Sequence, residues 1–259
     1  MKIVVCVKQV PDTTEVKLDP VKGTLIREGV PSIMNPDDKS GLEAALRLKE
    51  ETSAEVTVLT MGPPQATAVL REAMAMGADA GVLLTDRAFG GADTWATSYT
   101  LSLALKKMDF DLLITGRQAI DGDTAQVGPQ IAEHLGIANV SYAEELHVDG
   151  DYVIVKRQFE DRYHMVKAQM PCLVTALAEL NEPRYMTPGG IFKAFEAPIQ
   201  EMHFEDLDAN ADDLGLKGSP TKVVKSFPKA VKAAGTKIEA SPEESVEYIV
   251  DKLKERFML

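Results

Sequence analysis

Chemistry in this chain has five segments in which to sit, each rich in small, polar or turn-forming residues. They are Lys8-Gln9-Val10-Pro11-Asp12, Met34-Asn35-Pro36-Asp37-Asp38, Met61-Gly62-Pro63, Gly90-Gly91-Ala92-Asp93-Thr94, and the long run from Gly116 through Arg117, Gln118, Ala119, Ile120, Asp121, Gly122, Asp123, Thr124, Ala125, Gln126 and Val127 to Gly128. Turn chemistry accounts for any one of them taken singly. The last is the richest. A glycine where a strand ends lets a ligand approach the backbone closely. Asp123 or Thr124 is expected to cap the helix that follows, leaving its next N–H groups to an anion at the positive end of the helix dipole. Hydroxyls of Thr94, Thr97 and Thr124 add neutral donors. Asp121 and Asp123 repel a phosphate, so at least one accepts from ribose hydroxyls or is structural. This chemistry suits a mononucleotide or dinucleotide held by backbone and hydroxyl groups.

Side-chain catalysis finds no support. The sequence has no GxGxxG after a strand, no GxxxxGK[ST], no GxSxG and no HExxH. His134, His147, His164 and His203 are scattered, with no i, i+4 pair on one helix, and read as surface or structural residues. No nucleophile–base pair emerges, and Cys6 and Cys172 belong to no CxxC pair that would bind a metal. An SGGxDS-like phosphate loop is missing too, which argues against an adenylating or ATP-hydrolysing protein of similar fold.

The elements that position these segments alternate. Ile3–Val7, Val56–Thr60, Gly81–Thr85, Leu112–Thr115 and Cys172–Ala176 are short, β-branched and apolar on both parities, as strands covered on both faces must be. Between them lie amphipathic stretches at Asp38–Glu51, Gln65–Met76, Thr94–Lys107 and Thr124–Leu135. The alternation predicts an α/β fold with a mostly parallel, Rossmann-like sheet, and puts the polar segments at the carboxyl ends of its strands, where such sheets bind ligands. From Val140 to Met170 the pattern becomes antiparallel, with Asp149-Gly150 as a hairpin turn extending one edge. Asn181 to Gly190 reads as a loop or extended crossing, and 204–235 as polar with little core. Ser241-Pro242-Glu243-Glu244 starts a final helix running to about Phe257. We therefore divide the chain into a nucleotide-binding domain, 1–195, and a C-terminal arm, 196–259.

The formal net charge of −12 disfavours nucleic acid and anionic membrane surfaces as partners. The two cysteines lie inside apolar runs and are expected to be buried and reduced. Only five apolar residues lie between Lys2 and Lys8, too few for a signal peptide or a membrane span. A cytoplasmic or organellar-matrix protein is expected.

Several motifs in one order resemble the β subunit of electron-transferring flavoproteins: Val5-Cys6-Val7-Lys8-Gln9-Val10, Met34-Asn35-Pro36, Gly77-Ala78-Asp79, Gly116 to Asp123, and Leu180-Asn181-Glu182-Pro183-Arg184-Tyr185. The likeness runs from Lys2 to about Lys193, and Val155 to Pro171 resembles the family's signature region. It implies an adenine-nucleotide-α-hydrolase-like fold, an α-subunit partner that carries a flavin, and a C-terminal arm and helix that pack on that partner. In the common form the β subunit holds structural AMP. The matching pocket here is Cys6, Asn35 to Asp38, Met61 and Gly116 to Val127, and Lys8 lies beside it. A second, electron-bifurcating branch holds FAD there and takes electrons from NADH. It passes them to ferredoxin or flavodoxin and to an acyl-CoA dehydrogenase-type enzyme. Gly91 to Ser98, with Asp93, Thr94 and Thr97, and Arg184 to Ile191 look like that branch. Gly189-Gly190 replaces the common form's leucine-anchored docking loop and reads either as a point of close approach or as a hinge turn. Arg117 or Arg157 supplies a positive charge toward the flavin.

Overall fold

The apolar runs lie side by side and in parallel, as their composition predicts. The computed structural model describes residues 1–12, 31–224, 235 and 237–259. The first third comprises β1 (Lys2–Cys6), β2 (Gln9–Pro11), β3 (Ser32–Met34), α1 (Pro36–Thr52), β4 (Glu55–Met61), α2 (Thr67–Met76) and β5 (Ala80–Leu84). Next come α3 (Thr94–Leu105), β6 (Leu112–Gly116), α4 (Val127–Leu135), β7 (Ala138–Asp149), β8 (Tyr152–Phe159), β9 (Arg162–Gln169) and β10 (Cys172–Ala176). The remainder is α5 (Pro188–Glu196), β11 (Ile199–Met202), α6 (Gly215–Gly218) and α7 (Pro242–Glu255).

Nine strands form one sheet in the order β11-β5-β4-β1-β6-β10-β7-β8-β9, and β2 and β3 form a separate antiparallel ribbon. Every pairing from β11 to β7 is parallel, whereas β7, β8 and β9 pair antiparallel. The period of two sorts the core into layers. Ile3, Val5, Leu112, Ile114 and Val174 pack with Leu42 and Leu46 of α1 and Leu70 of α2. Val4, Cys6, Leu113 and Leu173 face Leu101 and Leu105 of α3 and Ile131 of α4. Because β4 and β6 flank β1, the winding reverses there. The crevice between the ends of β1 and β6 is thus the topological switch point, where open α/β sheets take ligands.

Helix boundaries follow local chemistry. Pro36 occupies the first turn of α1 and Ser53 ends it in a left-handed conformation. The Asp93 carboxylate caps α3, accepting from the Ala96 N–H at 3.0 Å. Ser241 and Glu244 form the predicted capping box of α7, which stops at Glu255, short of the left-handed Phe257. Residues 225–234, within the polar stretch read from the sequence, lie outside the described residues.

Four expectations need correction. α4 starts at Val127, not Thr124: Asp123 and Ala125 have φ of 51° and 52°, which a right-handed helix cannot include, and neither Asp123 nor Thr124 caps it. Segment 181–190 does not stay extended, because Thr187 accepts from the Gly190 N–H at 3.0 Å and starts α5. Residues 199–202, assigned to an arm, pair in parallel with β5 as an edge strand, and Met1–Val223 forms one compact unit, Val224–Leu259 a second. Finally, β7 is bent. Its first half pairs with β10, Tyr142 takes φ of 63°, and its second half turns to β8.

Gly190 is neither a hinge nor a point of ligand approach: a Cβ there would lie 2.3 Å from the Ala75 carbonyl oxygen, so the glycine lets α5 lie against α2. Gly189 faces open space. Gly190→Ala should therefore cost about 1–3 kcal/mol of unfolding free energy. Gly189→Ala should be neutral or stabilising by up to about 1 kcal/mol. Urea denaturation of the two variants checks the contrast.

Candidate functional site

The first turn of α1 projects into the switch-point crevice. Asp38 is buried there, and its two carboxylate oxygens accept from the backbone N–H of Lys8 at 2.8 Å and of Gly116 at 2.9 Å. One side chain thus ties together the exits of β1 and β6. Gly116 is glycine for this reason: a Cβ would lie 2.1 Å from Asp38 Oδ1 and 2.8 Å from Asp37 Cβ. The space read as an approach for ligand is filled by α1.

Asn35, fully buried, holds the loop beyond β6. Its Nδ2 donates to the Gln118 carbonyl at 2.8 Å and its Oδ1 accepts from the Ile120 N–H at 3.1 Å. Lys8 Nζ reaches Asp121 at 2.6 Å, and Gln118 Nε2 donates to Asp123. Arg117 Nε stands 3.4 Å from Asp37 Oδ2, close enough for an ion pair, although neither atom has a hydrogen-bond partner. Six positions from three remote stretches of sequence (Lys8, Asn35, Asp37, Asp38, Arg117 and Asp121) thereby meet at one crevice.

The loop then rises through Gly122, where a Cβ would have nothing within 4 Å, and the left-handed Asp123 and Ala125. α4 begins at Gln126 and Val127 with no side-chain cap, so the orphan N–H groups of its first turn are left to an external acceptor. Gly128 lies against Thr115 and Thr175, which seats the helix close on the sheet. Thr94 Oγ1 donates to Gln126 Oε1 at 2.9 Å, so the starts of α3 and α4 adjoin.

Electrostatics at the crevice are dominated by burial. Desolvation pushes the Asp38 carboxyl up to about 7, against the pull of the Lys8 and Gly116 N–H groups. It also raises Asp37, with Arg117 opposing. The buried Cys6 thiol, beneath the crevice at the end of β1, is pushed up to about 12 by desolvation and by Asp38.

Other predicted site residues are placed differently. Met61 ends β4 and is partly buried on the α3 side of the core. Both Asp93 oxygens are engaged, one by Ala96 and the other by the Thr221 N–H at 2.9 Å, while the Asp93 N–H donates to Ser219 Oγ. Ser219 and Thr221, more than a hundred residues away, carried no sequence signal for this role. Thr97 lies in the first turn of α3, and Pro36 contributes only its ring to the start of α1. Arg157 is separated from Arg117 by β10 and β7, since Gly116 pairs with Ala176, Ala176 with Ala143 and Ala143 with Arg157. Of the histidines, His134 packs edge-on to Trp95 at 4.6 Å and burial lowers its pKa. A cleft lined by Met1, Thr52, Asp111, Gly150 and Pro171 opens at the amino ends of the strands, the wrong end for ligand binding in a parallel sheet. Among the described residues no helix is long and apolar enough to cross a membrane.

Comparison with known proteins agrees with this architecture. The model of the electron transfer flavoprotein domain matches residues 22–207. The chain is 59% identical over 255 residues to the electron transfer flavoprotein subunit beta of Clostridium acetobutylicum, covering 98% of both chains. It is 53% identical to the caffeyl-CoA reductase-Etf complex subunit CarD of Acetobacterium woodii, and 48% identical to the acryloyl-CoA reductase electron transfer subunit gamma of Anaerotignum propionicum. Both alignments span 100% of each chain.

The raised Asp38 carboxyl has a measurable sign. The folded chain binds this proton more tightly than the unfolded chain does, so its contribution to stability is fully present below the unfolded value near 4. It is lost as pH rises to about 7. Asp38→Asn should remove that component. The stability difference, wild type minus variant, is expected to fall between pH 4.5 and 7.5, by at most roughly 4 kcal/mol. A flat difference in urea titrations across that range contradicts the assignment.

Proposed function

The chain belongs to the electron transfer flavoprotein family as a β-subunit member, and on that premise we propose that its switch-point cradle holds FAD and takes electrons from NADH. The observation that carries the reading is the Thr94–Gln126 hydrogen bond, which adjoins the starts of α3 and α4. It puts Gly91 to Ser98 beside the cradle, giving the polar surface two helix starts. A dinucleotide uses such a length, and AMP needs only one start. Full-length similarity to subunits of two named acyl-CoA reductase systems points the same way.

The residues fit such a ligand. The uncapped first turn of α4 supplies N–H groups for a phosphate. Gly122 leaves room for close approach, and Asp121 and Asp123, already turned toward Lys8 and Gln118, are placed to orient ribose hydroxyls. Arg117, loosely paired with Asp37, is the nearer of the two candidate arginines and offsets negative charge arriving above β6. When bound, the flavin supplies the redox chemistry, and the chain binds, orients and electrostatically tunes it. That division of labour asks for no side-chain nucleophile or general base from the chain.

In this reading the chain works as a heterodimer with an α subunit, on which the second unit, Val224–Leu259, packs. It resides in the cytoplasm and serves an acyl-CoA dehydrogenase-type partner together with ferredoxin or flavodoxin. A second reading keeps the same cradle with structural AMP and electrons entering through the α-subunit flavin. It is favoured by Gly116, Asp37 and Asp38, which fill the floor of the crevice and shorten the space above it.

Acid extraction of the chain co-purified with its α subunit separates the two. Two FAD per pair, with bleaching of the flavin absorbance by NADH, is the expected result. One FAD and one AMP per pair returns the cradle to the structural-nucleotide form. Lys8→Met and Asp123→Ala should each weaken retention of the cradle nucleotide about tenfold, the scale of one charge-assisted hydrogen bond. His147→Ala should leave retention unchanged.

A further inference from the structure

Helix α1 makes a second set of contacts that nucleotide binding does not explain. One turn beyond Asp37, Ser40 Oγ donates to the Asn181 carbonyl at 3.2 Å and accepts from the Asn181 N–H at 3.0 Å. One turn further, the Glu43 carboxylate, almost wholly buried, accepts from Arg184 three times: from its backbone N–H at 3.1 Å, from Nε at 2.8 Å and from Nη2 at 3.1 Å. Two turns beyond that, Glu50 takes the other edge of the same guanidinium at 2.5 and 3.2 Å. Burial works against the Glu43 charge, yet the Arg184 bonds hold its carboxyl below the ordinary value. Segment 181–184 is thus laced along one side of α1.

The lacing continues into α5. Thr187 caps this helix, Arg71 of α2 donates to the carbonyls of Ala194 and Ala197, and Gly190 fits against Ala75. The outward side carries Tyr185, 94% exposed, with Phe192 and Phe195 also exposed. Asp37 stands beside Arg117 in the cradle, one turn before Ser40 on the same helix.

We infer that α1 is a shared strut through which nucleotide in the cradle orders the strap 178–197 and so fixes the apolar face of α5. The inference rests on the cradle reading above and adds to it a route between two surfaces. Cradle contacts run through Asn35, Asp37 and Asp38, strap contacts through Ser40, Glu43 and Glu50, and a single rigid helix carries both. The cradle loop, with left-handed Asp123 and Ala125 and an uncapped α4, is the part a ligand steadies. Steadying it fixes the Gln118 and Ile120 backbone on Asn35, and Arg117 against Asp37, at the start of the helix that holds the strap.

Hydrogen–deuterium exchange of the complete chain, co-purified with its α subunit, tests this before and after saturation with FAD, with AMP as the second probe. FAD or AMP is expected to protect 116–127 and also to slow exchange across 181–196 by about fivefold or more. In Glu50→Gln, an exposed position whose change leaves the buried Glu43–Arg184 pair in place, and in Ser40→Ala, ligand still protects 116–127 but the remote protection shrinks. Ligand protection confined to 116–127 in the wild type overturns the inference and leaves the cradle standing. Full remote protection in both variants also overturns it. No protection at 116–127 with either nucleotide removes the cradle reading and this inference together.

Discussion

Everything at the carboxyl face of the sheet depends on one buried carboxylate between two strand exits. A doubly wound sheet leaves a crevice where its winding reverses, and the N–H groups at the strand ends point into it. In this chain Asp38 satisfies two of them, from Lys8 and Gly116. That choice forces the residue at 116 to be glycine, sets the first turn of α1 into the crevice and displaces any ligand outward, toward the start of α4. It also fixes Asn35, three residues earlier, at the height where it can hold the backbone of Gln118 and Ile120.

The cost is a buried charge. Taking a carboxylate out of water is unfavourable even with two N–H donors, and the raised Asp38 value records the imbalance. What the fold gains is definition. Strand exits that would otherwise move independently are tied through one helix to the loop that follows β6. Electron transfer rewards such definition, because a bound redox ring must be held at a constant distance and field.

Much of this was legible in the sequence because it rests on periodicity. Period-two burial on both faces revealed the central strands, Asp149-Gly150 the hairpin, and Ser241 with Glu244 the last helix. Bringing together Lys8, Asn35, Asp38 and Asp121 was legible only as five polar strand exits, since pairing at separations of 30 to 113 residues leaves no local trace. Backbone geometry accounts for most of the differences. The start of α4 lies later than its sequence suggests because Asp only tolerates a left-handed φ and nothing in the residue type of Ala125 announces one. Gly116 and Gly190 invited a ligand or a hinge, and each instead makes room for a packed helix. β11 is four residues long, and its parallel partner lies more than a hundred positions away.

The thiol of Cys6 lies at the floor of the crevice, and its ionisation is suppressed far beyond neutrality. Thiolate, not thiol, is the form that reacts with peroxide and with electrophiles. In the proposed reading a flavin lies above Cys6, and a flavin that leaks electrons to oxygen forms peroxide close to whatever surrounds it. A sulfur kept protonated chiefly by burial, with Asp38 adding to the effect, offers little thiolate to that chemistry. Burial, helped by the same carboxylate that organises the strand exits, therefore keeps this thiol in its less reactive form.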